Sequence, residues 1–505
     1  MKIEFYNTLS HQLQTFAPIE APAVSMYNCG PTVYDYAHIG NFRAFVFSDV
    51  LRRFLELAGY EVQQVMNLTD VGHMTDDQSA DGSGQDKMAV AMDRVKEAKK
   101  SGTLPPGSVE NPQDPYQIAQ FYIDAFIADG KTLGLKIAGE FPKQTPRATD
   151  YVSQMQAMIK TLIDNDHAYV ASDGAVYYSV QSFPEYGQLS GNTLDKIRGG
   201  AGGRVNDQHT ASKKHPADFL LWKPDTSHVM KWDSPWGAGY PGWHIECSAM
   251  ATSLLGKDTI DIHTGGEDNI FPHHECEIAQ TRGATGKDSF ARFWMHTRYL
   301  LVEGAKMSKS KGNFYTVRDL ITKGATPAAI RFELIRAHYR SNMNFTLQGL
   351  EDARKNVQRL RDAAARFEKE AQGKTLPHAG VPEVENHPTL IAFKEALADD
   401  LNMAGALGEL FKWLADPGDA PEVSLAVLRR IDSVLNVLTD AKPSDAATPE
   451  ASDGDNEIQA KCLALDAARK AKDFTAADAI RKELTDAGYE IQTGKNGTEV
   501  RKKLV

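Results

Sequence analysis

The sequence predicts an α/β fold: a Rossmann-like parallel sheet split by an inserted α+β domain, then an all-α helical bundle and a small α+β C-terminal domain. Three observations carry this reading. An apolar run from Val24 to Asn28 is followed by a Gly-Pro turn, a helical pattern from His38, and a second apolar run from Val62 to Leu68. Strand, helix, strand at this spacing is a right-handed crossover, the opening unit of a parallel sheet. The sheet signals then stop, and resume at Asp258 to His263 and Phe293 to Val302, so other structure interrupts the sheet. From Phe345 onward the pattern turns to amphipathic helices.

The elements follow in order. The first helix repeats apolar residues at Phe42, Phe45, Val46, Val50, Phe54 and Leu57, and Gly59 suits its stop. Ser79 to Pro115 is polar and punctuated by Gly and Pro, which predicts a surface excursion holding one helix near Asp86 to Lys99. Ala168 to Val180 reads as a hairpin turning at Ser172-Asp173-Gly174. Thr326-Pro327 is a helix start, with Thr as cap and Pro at the first position. Leu350, Val357, Leu360, Ala364 and Phe367 then form one apolar face, and further helices are expected near Pro388–Leu414 and Glu422–Leu438. Lys442 to Asn456 has a linker composition, and beyond it two helices split at Asp473 lead to a hairpin turning at Asn496-Gly497.

Composition sets bounds. A chain of 505 residues suits three or four domains at roughly 100–200 residues each. Hydrophobic residues at 42% and charged residues at 24% describe a globular protein with ample core. No run of about 18 apolar residues predicts a membrane helix, and no secretory signal opens the chain. Four cysteines in such a length are too few for a disulfide framework and fit reduced thiols, which predicts a cytoplasmic protein. The absence of an exposed heptad seam favours a monomer. A net charge of −11 does not advertise a nucleic-acid binder, yet basic residues cluster at Arg354, Lys355, Arg359 and Arg361, and at Arg501, Lys502 and Lys503. Such clusters fit either local phosphate contacts or a solvated helix face and a frayed tail.

Two short strings point to nucleotide chemistry. His38-Ile39-Gly40-Asn41 opens a helix after a strand, where free N–H groups favour an anion. Lys306-Met307-Ser308-Lys309-Ser310 places two lysines three apart in a small polar loop. As a pair they suit binding of ATP and stabilisation of a departing pyrophosphate. Cys29, Cys247, His273 and Glu277 are residue types that ligate zinc, and the last two lie four apart, on one face of a helix. His274 and Cys276 are close enough to compete, and read alone the four also fit unconnected core positions.

Together with Asn28-Cys29-Gly30-Pro31-Thr32-Val33-Tyr34, Pro241 to Met250 and Asp261 to Gln280, these strings resemble the cysteinyl-tRNA synthetases, of class I, over most of the chain. The resemblance implies one zinc on Cys29, Cys247, His273 and Glu277, and Mg-ATP as a substrate. It implies catalytic roles for His38, Asn41, Lys306 and Lys309, and an ATP site that adds Gly40, Gly266 and Asp268, with Gly265 alongside. Thr32 and Trp243 would flank the amino acid, although Trp243 also suits core packing and Asp268 an ordinary loop. Cysteine and tRNA(Cys) are the implied partners. The implied division is a catalytic first half at 1–115, an inserted domain at 116–240, a catalytic second half at 241–320 and a connecting stem at 321–345. A tRNA-binding bundle at 346–441, a linker at 442–456 and an anticodon-side domain at 457–505 complete it.

A pocket that reads only shape separates cysteine from serine or alanine by about 1–3 kcal/mol. A soft thiophilic metal discriminates more sharply, so the expectation is that the substrate sulfur meets the zinc and that no editing domain is needed. The sequence departs from the family at Thr69-Asp70-Val71-Gly72-His73, where an acidic run is usual, and His73 is expected at the surface. A ligase joining cysteine to a small amino-sugar acceptor, and a silent RNA-binding paralogue, are the other readings. The long C-terminal region speaks against the first, and intact His38, Lys306 and Lys309 against the second.

Overall fold

A computed structural model describes residues 1–73, 85–194, 212–308, 312–440, 453–494 and 497–502. An antiparallel hairpin of β1 (Glu4–Asn7) and β2 (Gln12–Thr15) comes first, too short and polar to be legible in sequence. Then β3 (Ala23–Asn28), α1 (Ile39–Leu57) and β4 (Glu61–Met66) form the expected crossover, with β3 and β4 parallel. The first helix starts where it does because His38 and Asn41 cap it reciprocally. The His38 Nδ1 accepts the Asn41 N–H and the Asn41 carboxamide accepts the His38 N–H.

The segment after β4 departs from expectation. Helix α2 (Lys87–Ser101), capped by Asp86, buries Met88, Ala91 and Val95 in the main core, against α3 (Pro115–Thr132). The described part of the 79–115 excursion is therefore packed structure; its apolar stripe is too sparse among charges to stand out in sequence. The inserted region continues with α4 (Val152–Asp164) and the antiparallel sheet β5 (Ala168–Val170), β6 (Val176–Tyr178), β7 (Phe219–Pro224) and β8 (Gly239–Pro241).

The chain then returns to the parallel sheet through α5 (Trp243–Leu255), β9 (Ile260–Gly266), α6 (Glu275–Thr285) and β10 (Ala291–Thr297). The order is β10-β9-β3-β4, all parallel. Both faces are covered, as parallel sheets require. Met26, Ile262, Phe293 and Met295 join a core shared with α1, and Tyr27, Val65, Ile260 and Trp294 join a second core shared with α5. Because β4 and β9 flank β3 on opposite sides, a crevice opens at the carboxyl ends of β3 and β9, the usual ligand position in open α/β sheets.

Strand boundaries differ from the sequence reading; β4 stops at Met66 rather than Leu68, and the ninth strand starts at Ile260 rather than Asp258. The ninth strand runs on through Thr264, Gly265 and Gly266, whose glycines hid its end. The run Phe293 to Val302 is broken, because the Arg43 guanidinium takes the carbonyls of Arg298 and Tyr299 at 2.9 and 2.7 Å. Beyond that break β11 (Leu300–Val302) joins β12 (Ala305–Lys306) and, after α7 (Pro327–Ile335), the parallel β13 (Met343–Phe345).

The helical region comprises α8 (Leu347–Glu370), α9 (Pro388–Ala398), α10 (Met403–Ala415) and α11 (Pro421–Leu435). The C-terminal unit, α12 (Asp453–Lys470), α13 (Phe474–Asp486), β14 (Tyr489–Gly494) and β15 (Gly497–Lys502), holds its own small core around Leu465 and Leu484. The first turn of α12 takes Asp453 to Asn456 from the expected 442–456 linker. The remainder of that linker, Lys503 and Asn496 lie outside the described residues.

Candidate active site and metal cage

The site grows from the two strand ends. Cys29 follows β3 directly and lies beside Gly30, where a side chain has no room. A Cβ there would stand 1.7 Å from the Asn67 carbonyl oxygen. The Gly30 N–H donates to the Asn67 carboxamide at 2.8 Å, which fixes the turn that presents Cys29. Cys247 comes from α5, while His273 and Glu277 come from a π-helical turn, Ile270–His274, running into α6.

These four residues converge. One donor atom from each lies within 4.8 Å of every other, and a second overlapping set contains Cys29, His263, His274 and Glu277. Cys29 and Cys247 sulfurs are 3.8 Å apart, Cys29 Sγ is 3.6 Å from Glu277 Oε1, and His273 Nε2 is 3.0 Å from the same oxygen. A tetrahedral zinc with bonds of about 2.3 Å to sulfur and 2.0–2.1 Å to nitrogen or oxygen needs roughly 3.8 Å between sulfurs and 3.6 Å from sulfur to oxygen. The donor set and its spacing fit such an ion. Cys276 belongs to neither set; its sulfur lies 3.4 Å from the Tyr186 hydroxyl.

Histidines surround the cage. His244 Nδ1 lies 2.9 Å from His273 Nδ1, so a neutral His273 that donates its Nδ1–H to His244 keeps the Nε2 lone pair for a metal. His263 Nε2 meets the other Glu277 oxygen at 2.8 Å, and His274 links Cys29 (3.2 Å) to His296 (2.7 Å). The electrostatics follow. Burial alone would push Glu277 up, but His263 and His273 hold its carboxyl down to about 2. Burial would push His273 down, yet Glu277 and Cys247 raise it to about 10. Burial pushes the Cys29 thiol up, whereas Cys247, despite its own burial, falls to about 7 with the Cys29 contact as the main cause. Burial and the neighbouring imidazoles of His263 and His296 hold His274 well below the ordinary range.

A second network braces the cage. Glu246, beside Cys247 in α5, is fully buried and accepts from Thr69 Oγ1 at 2.9 Å, with His73 Nε2 at 2.5 Å. Thr69 in turn accepts from the Asn67 carboxamide, the group that holds Gly30. His73 is thus not a surface residue: it is buried against the Glu246 carboxylate. Only the partner, distant in sequence, reveals this. Trp243 is half-buried and stacks on the His273 ring at 4.4 Å, and Thr32 is exposed, its backbone paired with Thr69.

The residues expected to meet a nucleotide lie at the start of α1, at the end of β9 and in and after β12. A Cβ on Gly40 would lie 2.6 Å from the Met307 methyl, so the lysine loop crosses the start of α1. Backbone pairing of His38 with Thr316 and the Ile39 N–H to the Tyr315 carbonyl (3.0 Å) continue that contact. The Lys306 Nζ lies 5.8 Å from the Tyr299 ring, and the Tyr299 hydroxyl donates to Asp268 at 2.6 Å. Gly266 closes β9 with its N–H on the Asn269 carboxamide. Lys309 and Ser310 lie outside the described residues. Asn313, which carried no signal in sequence, accepts the Ser308 N–H at 2.8 Å and donates to the Lys306 carbonyl at 3.2 Å.

Comparison with known proteins agrees with this geometry. Residues 15–355 match the family described as tRNA synthetases class I (C) catalytic domain. The chain is 40% identical to the cysteine–tRNA ligase of Protochlamydia amoebophila, covering 99% of this chain and 98% of that one. It is 41% identical to the enzyme of the same name from Solibacter usitatus, covering 100% of each. The fold is like that of Mycobacterium tuberculosis methionyl-tRNA synthetase bound by methionyl-adenylate, with a TM-score of 0.53 at 12% identity over 84% of this chain and 92% of that one. It is also like Agrobacterium radiobacter LeuRS in a ternary complex with tRNA, with a TM-score of 0.54 at 12% identity over 84% of each. Among the described residues no helix is long and apolar enough to cross a membrane. The chain belongs to the cysteine–tRNA ligase family of class I tRNA synthetases.

Proposed function

We propose that the protein activates cysteine with Mg-ATP to cysteinyl-adenylate and pyrophosphate, then transfers cysteine to the 3′ end of tRNA(Cys). The observation that supports this best is the cage of two thiols, an imidazole and a carboxylate beside the end of β3, in a chain whose capped start of α1 meets Met307 of the lysine loop. Cys29, Cys247, His273 and Glu277 would hold one zinc ion, which supplies a soft Lewis acid that prefers a thiolate to a hydroxyl or methyl group.

The chain's own residues do the rest. Trp243, stacked on His273, and Thr32, at the end of the Cys29 turn, wall the amino acid. Because His38 Nδ1 accepts the Asn41 N–H, the neutral ring carries its proton on Nε2, a donor for phosphate oxygen. Asn41 keeps that ring in place, and Gly40 leaves room for the loop above it. Gly266 and Asp268 flank the adenosine. Lys306 and Lys309 neutralise charge that builds on the departing pyrophosphate, an effect felt mainly in the transition state. The helical region and the C-terminal unit hold the RNA.

The test is direct. With cysteine, Mg-ATP and tRNA, the purified protein is expected to form cysteinyl-tRNA and release AMP. Formation of product only with small-molecule acceptors from an extract, or none at all, would refute the assignment.

A further inference from the structure

We infer that the outer face of α8 grips the phosphate backbone of the bound RNA through a groove between α8 and the end of α10. This rests on the tRNA ligase reading and names a surface for its partner. Arg354, Lys355, Gln358, Arg359, Asp362 and Arg366 line an open cavity of about 500 Å³, with Leu414 on its far wall. Four cations against one carboxylate make this groove basic on a chain whose net charge is −11.

The groove follows from the pattern of α8. Leu350, Ala353, Val357, Leu360 and Phe367 are buried against the other helices, so the basic residues between them face outward. The cations are not equivalent. Arg354 is paired with Glu351 at 2.6 Å, and Lys355 lies 3.4 Å from Asp352, so half of that charge is already compensated. Arg359 and Arg366 have no carboxylate partner among the described residues. Each guanidinium instead lies over an aromatic ring, Phe411 at 5.1 Å and Phe367 at 4.9 Å, and Arg359 also donates to the Phe411 carbonyl at 3.5 Å. Guanidinium groups braced on a ring, with no carboxylate on their remaining donors, suit phosphate oxygens. From Lys355 to Arg366 the helix rises about 16 Å, enough to follow several nucleotides of backbone. Arg361, grouped with these by sequence, is excluded: it donates to the Val437 carbonyl and to Asp440.

The lining holds no aromatic ring for a base, so the grip is on backbone charge and its signature is salt dependence. The test titrates the full-length protein with a tRNA(Cys) transcript at several salt concentrations. For Arg359→Gln combined with Arg366→Gln, affinity is expected to fall about tenfold, and the slope of log affinity against log salt to shrink by about 2. Arg359→Lys combined with Arg366→Lys keeps the charge and is expected to retain most of both. ATP–pyrophosphate exchange without RNA checks that each variant is folded; if the glutamine pair fails that check, Lys355→Gln reads the same slope, with a loss of about 1. Unchanged affinity and slope in a folded variant overturn the assignment. If the unaltered protein charges no tRNA, the functional reading falls as well; if it charges tRNA while the neutralised groove binds normally, only the groove is wrong.

Discussion

Metal uptake should expel protons, and the cage sets how many. At pH 7 the metal-free protein holds His273 protonated, because Glu277 and Cys247 raise it to about 10. Burial keeps the Cys29 thiol protonated, Cys247 near 7 is half protonated, and Glu277 near 2 carries no proton. A zinc ion needs both sulfurs as thiolates and the imidazole neutral, so binding releases about 2.5 protons at pH 7. The sign follows. Protons compete with the metal, so affinity rises with pH, by about 3.4 kcal/mol or roughly 300-fold per pH unit near neutrality. Above pH 7 the slope falls toward about 2, as Cys247 loses its proton unaided. Calorimetric titration of the metal-free protein with zinc, in buffers of different ionisation enthalpy, counts the protons directly. Release near one would refute this reasoning and favour the overlapping cage, in which His263 and His274 stand in place of Cys247 and His273.

Other outcomes follow from the same contacts. Glu246→Ala strands His73 and Thr69 in the interior and should cost about 3–5 kcal/mol in chemical denaturation, with Glu246→Gln losing far less; a cost under about 1 kcal/mol for the alanine would remove Glu246 as the brace. In the metal-free protein, His273 raised to about 10 should lend stability that is full below pH 6.5 and lost as pH climbs toward 10. Glu277 lowered to about 2 should lend stability lost as pH falls from about 4.5 to 2; flat melting temperatures across both windows would contradict the pairing. Lys309→Ala should slow ATP–pyrophosphate exchange on the order of a hundredfold or more while leaving cysteine binding nearly unchanged, and equal losses in both would argue against a transition-state role.

Much of this was legible in sequence because the relevant signals are local. The β3-α1-β4 crossover, the His38 cap and the Thr326-Pro327 start each depend on a few neighbouring residues. The four proposed ligands could be named because the resemblance singles them out from neighbouring His274 and Cys276, and the structure brings them together. What escaped depends on partners far along the chain. His263, His244 and His296 matter through their contacts with Glu277, His273 and His274. His73 read as a surface residue until Glu246, remote in sequence, closed over it. Helix α2 looked like an excursion because only Met88, Ala91 and Val95 anchor it. The end of β9 was hidden by two glycines, whose backbone pairs with β10 regardless of propensity.

The proposed function has cysteine told from serine by the atom it offers to the cage, and one measurement reaches that claim. The protein is purified with its metal, the zinc content is counted, and ATP–pyrophosphate exchange is followed with cysteine and with serine before chelation, after it, and after zinc is restored. One zinc per chain, a strong preference for cysteine that vanishes on chelation, and its return with zinc are the expected results. A metal-free protein that still activates cysteine and still rejects serine would contradict the account.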